Sequence, residues 1–135
     1  MLPGPNASAF HDATKRGEGF VWTLTPGVLM TRLHGFLYNE LTKALIEALD
    51  RQIDAQKGKV VVFADWSDVT AYHVQVRIDY TRWALRRRDV VNALHFYVKS
   101  GLVIMGMKVA SFVLPMLHTY ETEVAFEIAI LASKA

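Results

Sequence analysis

The sequence predicts an α/β domain in which a mixed sheet carries helices on its faces, in the order β-β-α-β-α-β-α-β-α. Residues 60–64 read Val-Val-Val-Phe-Ala, an unbroken apolar run that is typical of a strand buried on both faces. Residues 37–53 place leucines and one isoleucine four positions apart, as on the buried side of a helix. Strand-like and helix-like segments then alternate to the last residues, which favours right-handed crossovers between parallel strands.

Length and composition indicate one globular domain. The chain has 135 residues, of which 52% are hydrophobic and 21% charged, and its net charge of +2 does not favour nucleic acid as a partner. It has no cysteine, which excludes disulfides, thiolate nucleophiles and cysteine-based metal sites. The proline- and glycine-containing residues 1–16 predict a flexible N-terminal arm, and residues 17–135 a single domain. Neither a signal peptide nor a transmembrane segment is recognisable, so we expect a cytoplasmic protein.

The first half of the domain opens with a predicted β-hairpin. Its strands are Phe20–Leu24 and Val28–Leu33, and a Thr-Pro-Gly turn joins them. The leucine-spaced helix follows after Gly35, and Gly58 suits the position just beyond its end. The central strand, beginning at Lys59, comes next and is expected to stop at Asp65.

The second half repeats the alternation of helix and strand. A helix is predicted from Tyr72 or Val74 to Arg88, followed by a strand over Val91–Val98. The segment Leu102–Leu114 is apolar almost all round, as in a helix buried on most sides or lying in an interface. A short strand over Leu117–Tyr120 and a helix over Thr122–Lys134 complete the chain, with Thr122 as the expected N-cap.

The candidate site lies where the central strand gives way to the next helix, because the carboxyl ends of strands in open α/β sheets are where ligands and partners usually bind. We call residues 65–77 the elbow. An acidic pair, Asp65 and Asp68, could hold a metal or a phosphoryl group there, but turn and capping roles are favoured for these carboxylates. The partner-binding residues predicted in the elbow are Asp65, Ser67, Asp68, Thr70, Tyr72, His73 and Arg77.

No catalytic or metal-binding set emerges from the remaining polar residues. The five histidines are widely separated in sequence, and each is expected to be a hydrogen-bonded structural imidazole, with His73 in the elbow as the exception. Ser100 stands at a strand-to-helix turn without the flanking glycines of a nucleophile elbow, so we expect it to cap a helix. Arginines 86–88 suit a solvated helix end better than a phosphate site. We therefore predict no enzyme activity and no cofactor.

The last two long helices are more apolar than a small monomer needs. Core burial explains most of this surplus, and shared burial in a homodimer explains the remainder. The residues predicted to contribute to such an interface are Leu102, Met105, Met107 and Phe112.

At residues 65–70, Asp-Trp-Ser-Asp-Val-Thr, the sequence resembles the STAS domain of bacterial anti-sigma factor antagonists and their SpoIIAA-like relatives. The resemblance extends over residues 18–135, and the segments at 91–114 and 118–130 are similar to a bacterial STAS-like subgroup. It implies a SpoIIAA-like mixed sheet and a regulatory protein partner. The antagonists carry a phosphorylatable serine shortly after this motif, whereas residues 73–76 here are His-Val-Gln-Val.

Three functions compete at this point, and the least favoured is an enzyme whose site cannot be assembled from the sequence. The favoured one is a non-enzymatic STAS-like protein-interaction module that lacks the phosphorylatable serine and uses the elbow to bind its partner. The alternative is a small-ligand or lipid binder, in which the methionine-rich helix at 102–114 would line the pocket, as in the related SEC14-like arrangement. An apolar cavity under that helix would favour the binder, and a flat polar elbow without a cavity would favour the interaction module.

Overall fold

The structure is a computed structural model that describes residues 8–11 and 17–134. Within these residues, six strands and four helices follow one another in the predicted order, with one strand added at the start. The strands are β1 (Ser8–His11), β2 (Gly17–Thr25), β3 (Val28–Leu37), β4 (Val60–Tyr72), β5 (Val91–Tyr97) and β6 (Leu117–Tyr120). The helices are α1 (Asn39–Asp54), α2 (Val74–Arg86), α3 (Gly101–Ser111) and α4 (Glu123–Lys134).

The strands form a single mixed sheet in the order β1-β2-β3-β4-β5-β6. The first three strands are antiparallel neighbours, and β3 to β6 run parallel to one another. The predicted hairpin turn is present, with Gly27 at a φ of +82° that suits glycine. The predicted α/β class, mixed sheet and element order are confirmed.

Strand β1 lies within the predicted N-terminal arm. Residues Ser8–His11 pair antiparallel with β2, from Ser8 opposite Val21 to His11 opposite Glu18. Backbone hydrogen bonds to β2 can hold such an edge strand even where the sequence shows no apolar periodicity. Residues 1–7 and 12–16 of that arm lie outside the described residues.

Strand β4 corrects the predicted strand end, since it continues seven residues past Asp65. The neighbouring β3 is long and pairs with β4 as far as Leu37 opposite Tyr72. Pairing with β5 ends earlier, at Asp65 opposite Tyr97. The polar side chains after Asp65 therefore lie on a part of β4 that has a neighbouring strand on one side only. Two register shifts occur in the β3–β4 pairing along this part.

Helices cover both faces of the sheet. The larger apolar core lies between the sheet and the three helices α1, α2 and α3, and it contains Leu29, Val62, Trp66, Leu94 and Phe96 from the strands. A smaller core on the opposite face is covered by α4, through Phe126 and Ile130. The central strand is thus apolar on both faces, as the unbroken run at 60–64 predicts. In the part of the chain that the structure describes, none of the helices has the length and apolar character needed to cross a membrane.

Candidate functional site

The elbow residues do not form one continuous surface, because alternation along β4 sends neighbouring side chains to opposite faces of the sheet. Asp65 lies on the α4 side, opposite Tyr97 in the register, whereas Trp66 lies in the larger core on the other side. The beginning of the elbow and its end must therefore be considered separately.

Asp65 makes the local side-chain contacts predicted for it, but it makes them within strand β4 rather than in a turn. One of its carboxylate oxygens, Oδ1, accepts hydrogen bonds from the backbone N–H of Ser67 at 3.1 Å and from the Ser67 hydroxyl at 2.6 Å. Asp68 is exposed and instead pairs with Arg32 at 3.4 Å. The two carboxylates are thus engaged separately, and among residues 17–134 no group of three or more His, Asp or Glu side chains is placed to hold a metal ion.

The structure also corrects the role predicted for Ser100, because its hydroxyl does not cap α3. Instead it donates a hydrogen bond to the carbonyl oxygen of Thr70 at 2.8 Å. Thr70 lies on the part of β4 that extends beyond β5, so its carbonyl is available where the ladder has ended. The bond ties the start of α3 to the end of the central strand.

His73 has a local structural role as the N-cap of α2. Its Nδ1 accepts a hydrogen bond from the backbone N–H of Gln75 at 3.3 Å, and the side chain is otherwise exposed. Thr122 makes the equivalent predicted contact at α4, accepting from the N–H of Ala125 at 3.2 Å. The predicted role of His73 in partner binding stays a prediction.

Tyr72 and Arg77, by contrast, meet a residue of the predicted interface. Together with Leu102 they line an open cleft of about 220 Å³ between the end of β4, the start of α2 and the start of α3. We call this the outer cleft; its remaining wall is formed by Ala71 and Val74. Burial raises the pKa of the Tyr72 phenol, and the positive charge of Arg77 partly opposes that rise.

The Tyr72 side chain crosses α3 at Gly106. A Cβ atom placed at residue 106 would overlap the Tyr72 hydroxyl and would lie 2.8 Å from its ring carbon Cζ. Glycine is therefore required at this point of the helix by a side chain from another element rather than by backbone conformation. Neither the sequence periodicity nor the helix propensity of residue 106 signals this contact.

Beneath Tyr72 lies an apolar cavity of about 20 Å³, which we call the α3 cavity. It is lined by residues of β4, β5, β6, α2 and α3. Among its wall residues, Trp66, Tyr80 and Phe96 pack edge to face, with ring centroids 4.9 to 5.9 Å apart. The remaining wall residues are Tyr72, Val76, Arg77, Thr81, Leu94, Gly106, Met107, Ala110, Leu114 and Leu117.

Two of the residues that line the cavity each carry a buried donor without a partner among the described residues. The indole Nε1 of Trp66 and the hydroxyl of Tyr80 are buried, and neither contacts a hydrogen-bonding group of the described residues. The indole of Trp83 provides a contrast, since its Nε1 donates to Asp50 at 2.9 Å. Leaving a buried polar group unpaired costs about 1–3 kcal/mol, so two of them in one wall are unusual. Burial also raises the pKa of Tyr80, so its phenol keeps the O–H proton.

Helix α3 presents an apolar side to solvent. The exposed residues of this α3 face are Leu102, Met105, Val109, Phe112 and Val113. Phe112 is 88% exposed, whereas Met107 is only 8% exposed and belongs to the core. Met107 is thus removed from the predicted interface, because it projects from the opposite side of the helix. The other three predicted interface residues, Leu102, Met105 and Phe112, do lie on the exposed face.

On the other side of the sheet, two histidines that are distant in sequence come together. His95 and His118 stack with ring centroids 4.8 Å apart, and His95 Nδ1 lies 2.8 Å from the Tyr120 hydroxyl. Burial, and then the neighbouring His118, lower the pKa of His95 to about 4. Sequence analysis placed both residues in strands but treated them separately; the adjacency of β5 and β6 is what pairs them.

No protein-family model matches the sequence, and a search of the curated proteins gives no significant match. Three solved chains match it in structure. One is an uncharacterised protein of the DUF3478 family from Shewanella loihica PV-4, described as having a SpoIIAA-like fold. The two are 12% identical, with a TM-score of 0.59 over 93% of this chain and 95% of that one. At this identity the likeness concerns the fold alone, and it confirms the predicted resemblance at that level: the chain has a SpoIIAA-like fold.

Proposed function

We propose that this chain is a non-enzymatic, STAS-like interaction module that binds a protein partner through the α3 face and the adjoining outer cleft. The observation that carries the proposal is the exposure of five large apolar side chains on one side of α3 and on the turn after it. An apolar patch of this kind on a small protein marks an interaction site more often than it marks a solvated surface. The proposed binding site therefore lies mainly on α3, rather than in the elbow at the end of β4 where the sequence predicts it.

The charges around the α3 face indicate what the partner surface is like. Lys108 and Arg82 are exposed beside it, Arg77 lies in the outer cleft, and residues 101–114 include no acidic side chain. A partner that presents apolar side chains surrounded by Asp and Glu would complement both features. An acidic amphipathic helix laid along α3 has this chemistry.

The role is proposed as regulatory but without the serine switch of the antagonists. The resemblance places that serine within residues 73–76, which form the N-cap and first turn of α2. No hydroxyl group is present there. Control of binding then depends on the partner's abundance or on a ligand, rather than on phosphorylation at this point.

Site-specific photo-crosslinking in the native cell tests the proposal. A benzoylphenylalanine at Met105 or Phe112 should give one discrete adduct with a second polypeptide. The same group at Glu47, an exposed position on α1, serves as the matched control and should not give it. The charge reversals Arg82→Glu and Lys108→Glu should weaken the adduct, because they remove the electrostatic complement.

Two results would count against the proposal. Equal adducts from α1 and α3 positions would show that crosslinking reports only random collision. An adduct with twice the mass of the chain alone would show that the α3 face binds a second copy instead of another protein. Once the partner is isolated, Phe112→Ser should weaken binding by more than about 1 kcal/mol, as expected for an aromatic anchor.

A further inference from the structure

His95 and His118 bring two imidazole rings side by side on the sheet face opposite to α3. They are register partners on the neighbouring parallel strands β5 and β6, and their rings stack with centroids 4.8 Å apart. His118 is exposed and makes no hydrogen bond to the described residues. His95 Nδ1 lies 2.8 Å from the Tyr120 hydroxyl, whereas His95 Nε2 has no partner among the described residues and is not buried. Both imidazoles therefore present a ring nitrogen to solvent.

We propose that His95 and His118 together bind a divalent transition-metal ion such as Zn²⁺. Imidazole is a ligand that zinc, nickel and copper favour, whereas magnesium and calcium favour oxygen. Among the described residues, no group of three His, Asp or Glu side chains is placed to hold a metal ion, so water or a small ligand completes the coordination sphere. The proposal goes beyond partner binding, because it uses the other face of the sheet.

The stacked rings need one adjustment before both can bind the same ion. Zinc lies about 2.0–2.1 Å from each imidazole nitrogen, so two nitrogens at tetrahedral positions are about 3.3 Å apart. Rings whose centroids are 4.8 Å apart must therefore tilt toward each other. The exposed His118 can move, whereas the ring of His95 is held against Phe63, with centroids 4.5 Å apart. His95 is thus the fixed ligand and His118 the movable one.

Tyr120 supplies the contact that orients the fixed ligand. A metal-binding histidine usually donates the N–H of its second ring nitrogen to an oxygen, which leaves the lone pair of the first nitrogen for the metal. The Tyr120 hydroxyl oxygen is placed to accept that hydrogen bond from His95 Nδ1. Tyr120 is therefore a positioning residue, and Tyr120→Phe should weaken metal binding about tenfold without abolishing it.

Titration with zinc chloride near neutral pH tests the proposal. Proton–nitrogen correlation spectra of the imidazoles follow each ring nitrogen, and the His118→Gln variant assigns the pair. One nitrogen of each histidine should move with the same saturable dependence on zinc, and magnesium chloride should move neither. The same spectra report the tautomer of His95, which Tyr120→Phe should change.

Two histidine substitutions locate the ion. His118→Gln should weaken zinc binding at least about tenfold, because a single imidazole loses the advantage of two linked ligands. His34→Gln is the matched control, since His34 is partly exposed and lies 2.8 Å from the Glu18 carboxylate, and it should leave zinc affinity unchanged. His118 is exposed on an edge strand, so His118→Gln should fold, and the dispersion of its amide spectrum verifies this.

Three results would overturn the proposal. Zinc binding in His118→Gln that is as tight as in the unsubstituted chain would show that the pair is not the site. Loss of zinc binding in His34→Gln would place the ion at the Glu18–His34 pair. Saturation of His95 and His118 at different zinc concentrations would show two single imidazoles rather than one shared ion. None of these results bears on the crosslinking of the α3 face, so the two proposals fail independently.

Discussion

Gly106 and Tyr72 show how one small residue can decide the packing of a whole helix. Because the Tyr72 hydroxyl occupies the space of a Cβ at residue 106, Gly106→Ala should destabilise the fold by about 1–3 kcal/mol through overpacking. Gly101, at the start of the same helix, provides the matched control, since a Cβ there would meet nothing within 4 Å. Gly101→Ala should be neutral or stabilising by up to about 1 kcal/mol. Urea denaturation measures both, and equal effects would mean that Tyr72 moves aside without cost.

His95 gives the fold a pH dependence whose sign follows from the structure. Its pKa is lowered to about 4 in the folded chain, from 6.5, first by burial and then by His118. Between pH 6.5 and 4 the unfolded chain therefore binds a proton that the folded chain does not, so stability falls as the pH is lowered. The phenol of Tyr120 and the ring of Phe63 also face this imidazole, and neither is charged in that range.

We expect this contribution to lower the free energy of unfolding by about 1 kcal/mol between pH 7 and pH 5, because His95 keeps part of its contact with water. Urea denaturation at the two pH values measures it, and His95→Gln should remove it. The exposed His73 is the control, and His73→Gln should leave the pH dependence as in the unsubstituted chain. If His95→Gln keeps the full dependence, another group is responsible.

At the residue scale, sequence reasoning succeeded where a side chain acts on its own backbone. The local contacts of Asp65 with Ser67 and the cap of Thr122 on α4 depend on spacings of two or three residues, which a sequence displays directly. It failed for Ser100, whose acceptor is a carbonyl 30 residues away. It also could not find the pairing of Trp66 and Tyr80 in one cavity wall, because that depends on how two elements pack.

Among the elements, the apolar segments were predicted well and the polar end of β4 was not. An apolar run such as residues 60–64 needs burial on both faces, and this requirement is visible in the sequence. The residues from Asp65 to Thr70 have turn-forming side chains, yet they form a strand because the long β3 offers them backbone partners. A tertiary partner of this kind overrides local propensity, so the strand end lies seven residues further on than predicted.

The two faces of β4 should respond differently to a buried charge. Val62 is fully buried under the three-helix side, so Val62→Asp should cost more than about 4 kcal/mol or prevent folding. Val61 is partly buried on the α4 side, where a carboxylate can reach water, so Val61→Asp should cost about 1–2 kcal/mol. Thr70→Asp, at an exposed position of the same strand, should change stability by no more than about 0.5 kcal/mol. Urea denaturation gives the three values.

Comparable losses at Val61 and Val62 would contradict this difference between the faces. They would mean that α4 shields its side of the sheet as completely as the other three helices shield theirs. The predicted two-sided burial of the strand would then hold without the asymmetry that the structure shows.

At the scale of the whole molecule, helices cover both faces of the sheet, and the helix on the second face adds a second exposed apolar surface. Helix α4 covers its side of the sheet with Phe126 and Ile130, while its outer side carries Val124, Ile128 and Leu131. These three are between 61% and 67% exposed, and their spacing of four and then three residues forms a straight apolar seam. The predicted surplus of apolar surface is therefore divided between α3 and α4, on opposite faces of the sheet.

We expect the α4 seam to pair with its own copy and form a homodimer, because a four-then-three spacing allows two such helices to interlock around a two-fold axis. Sedimentation at micromolar concentration should show a dimer. Ile128→Lys should yield a folded monomer, since the side chain is exposed in the single chain and contributes to the seam alone. Met105→Lys, which places the same charge on the α3 face, should leave the dimer intact.

If Met105→Lys dissociates the dimer instead, self-association uses the surface that we assign to the protein partner. An unsubstituted chain that stays monomeric at about 100 µM would show that the seam does not mediate self-association.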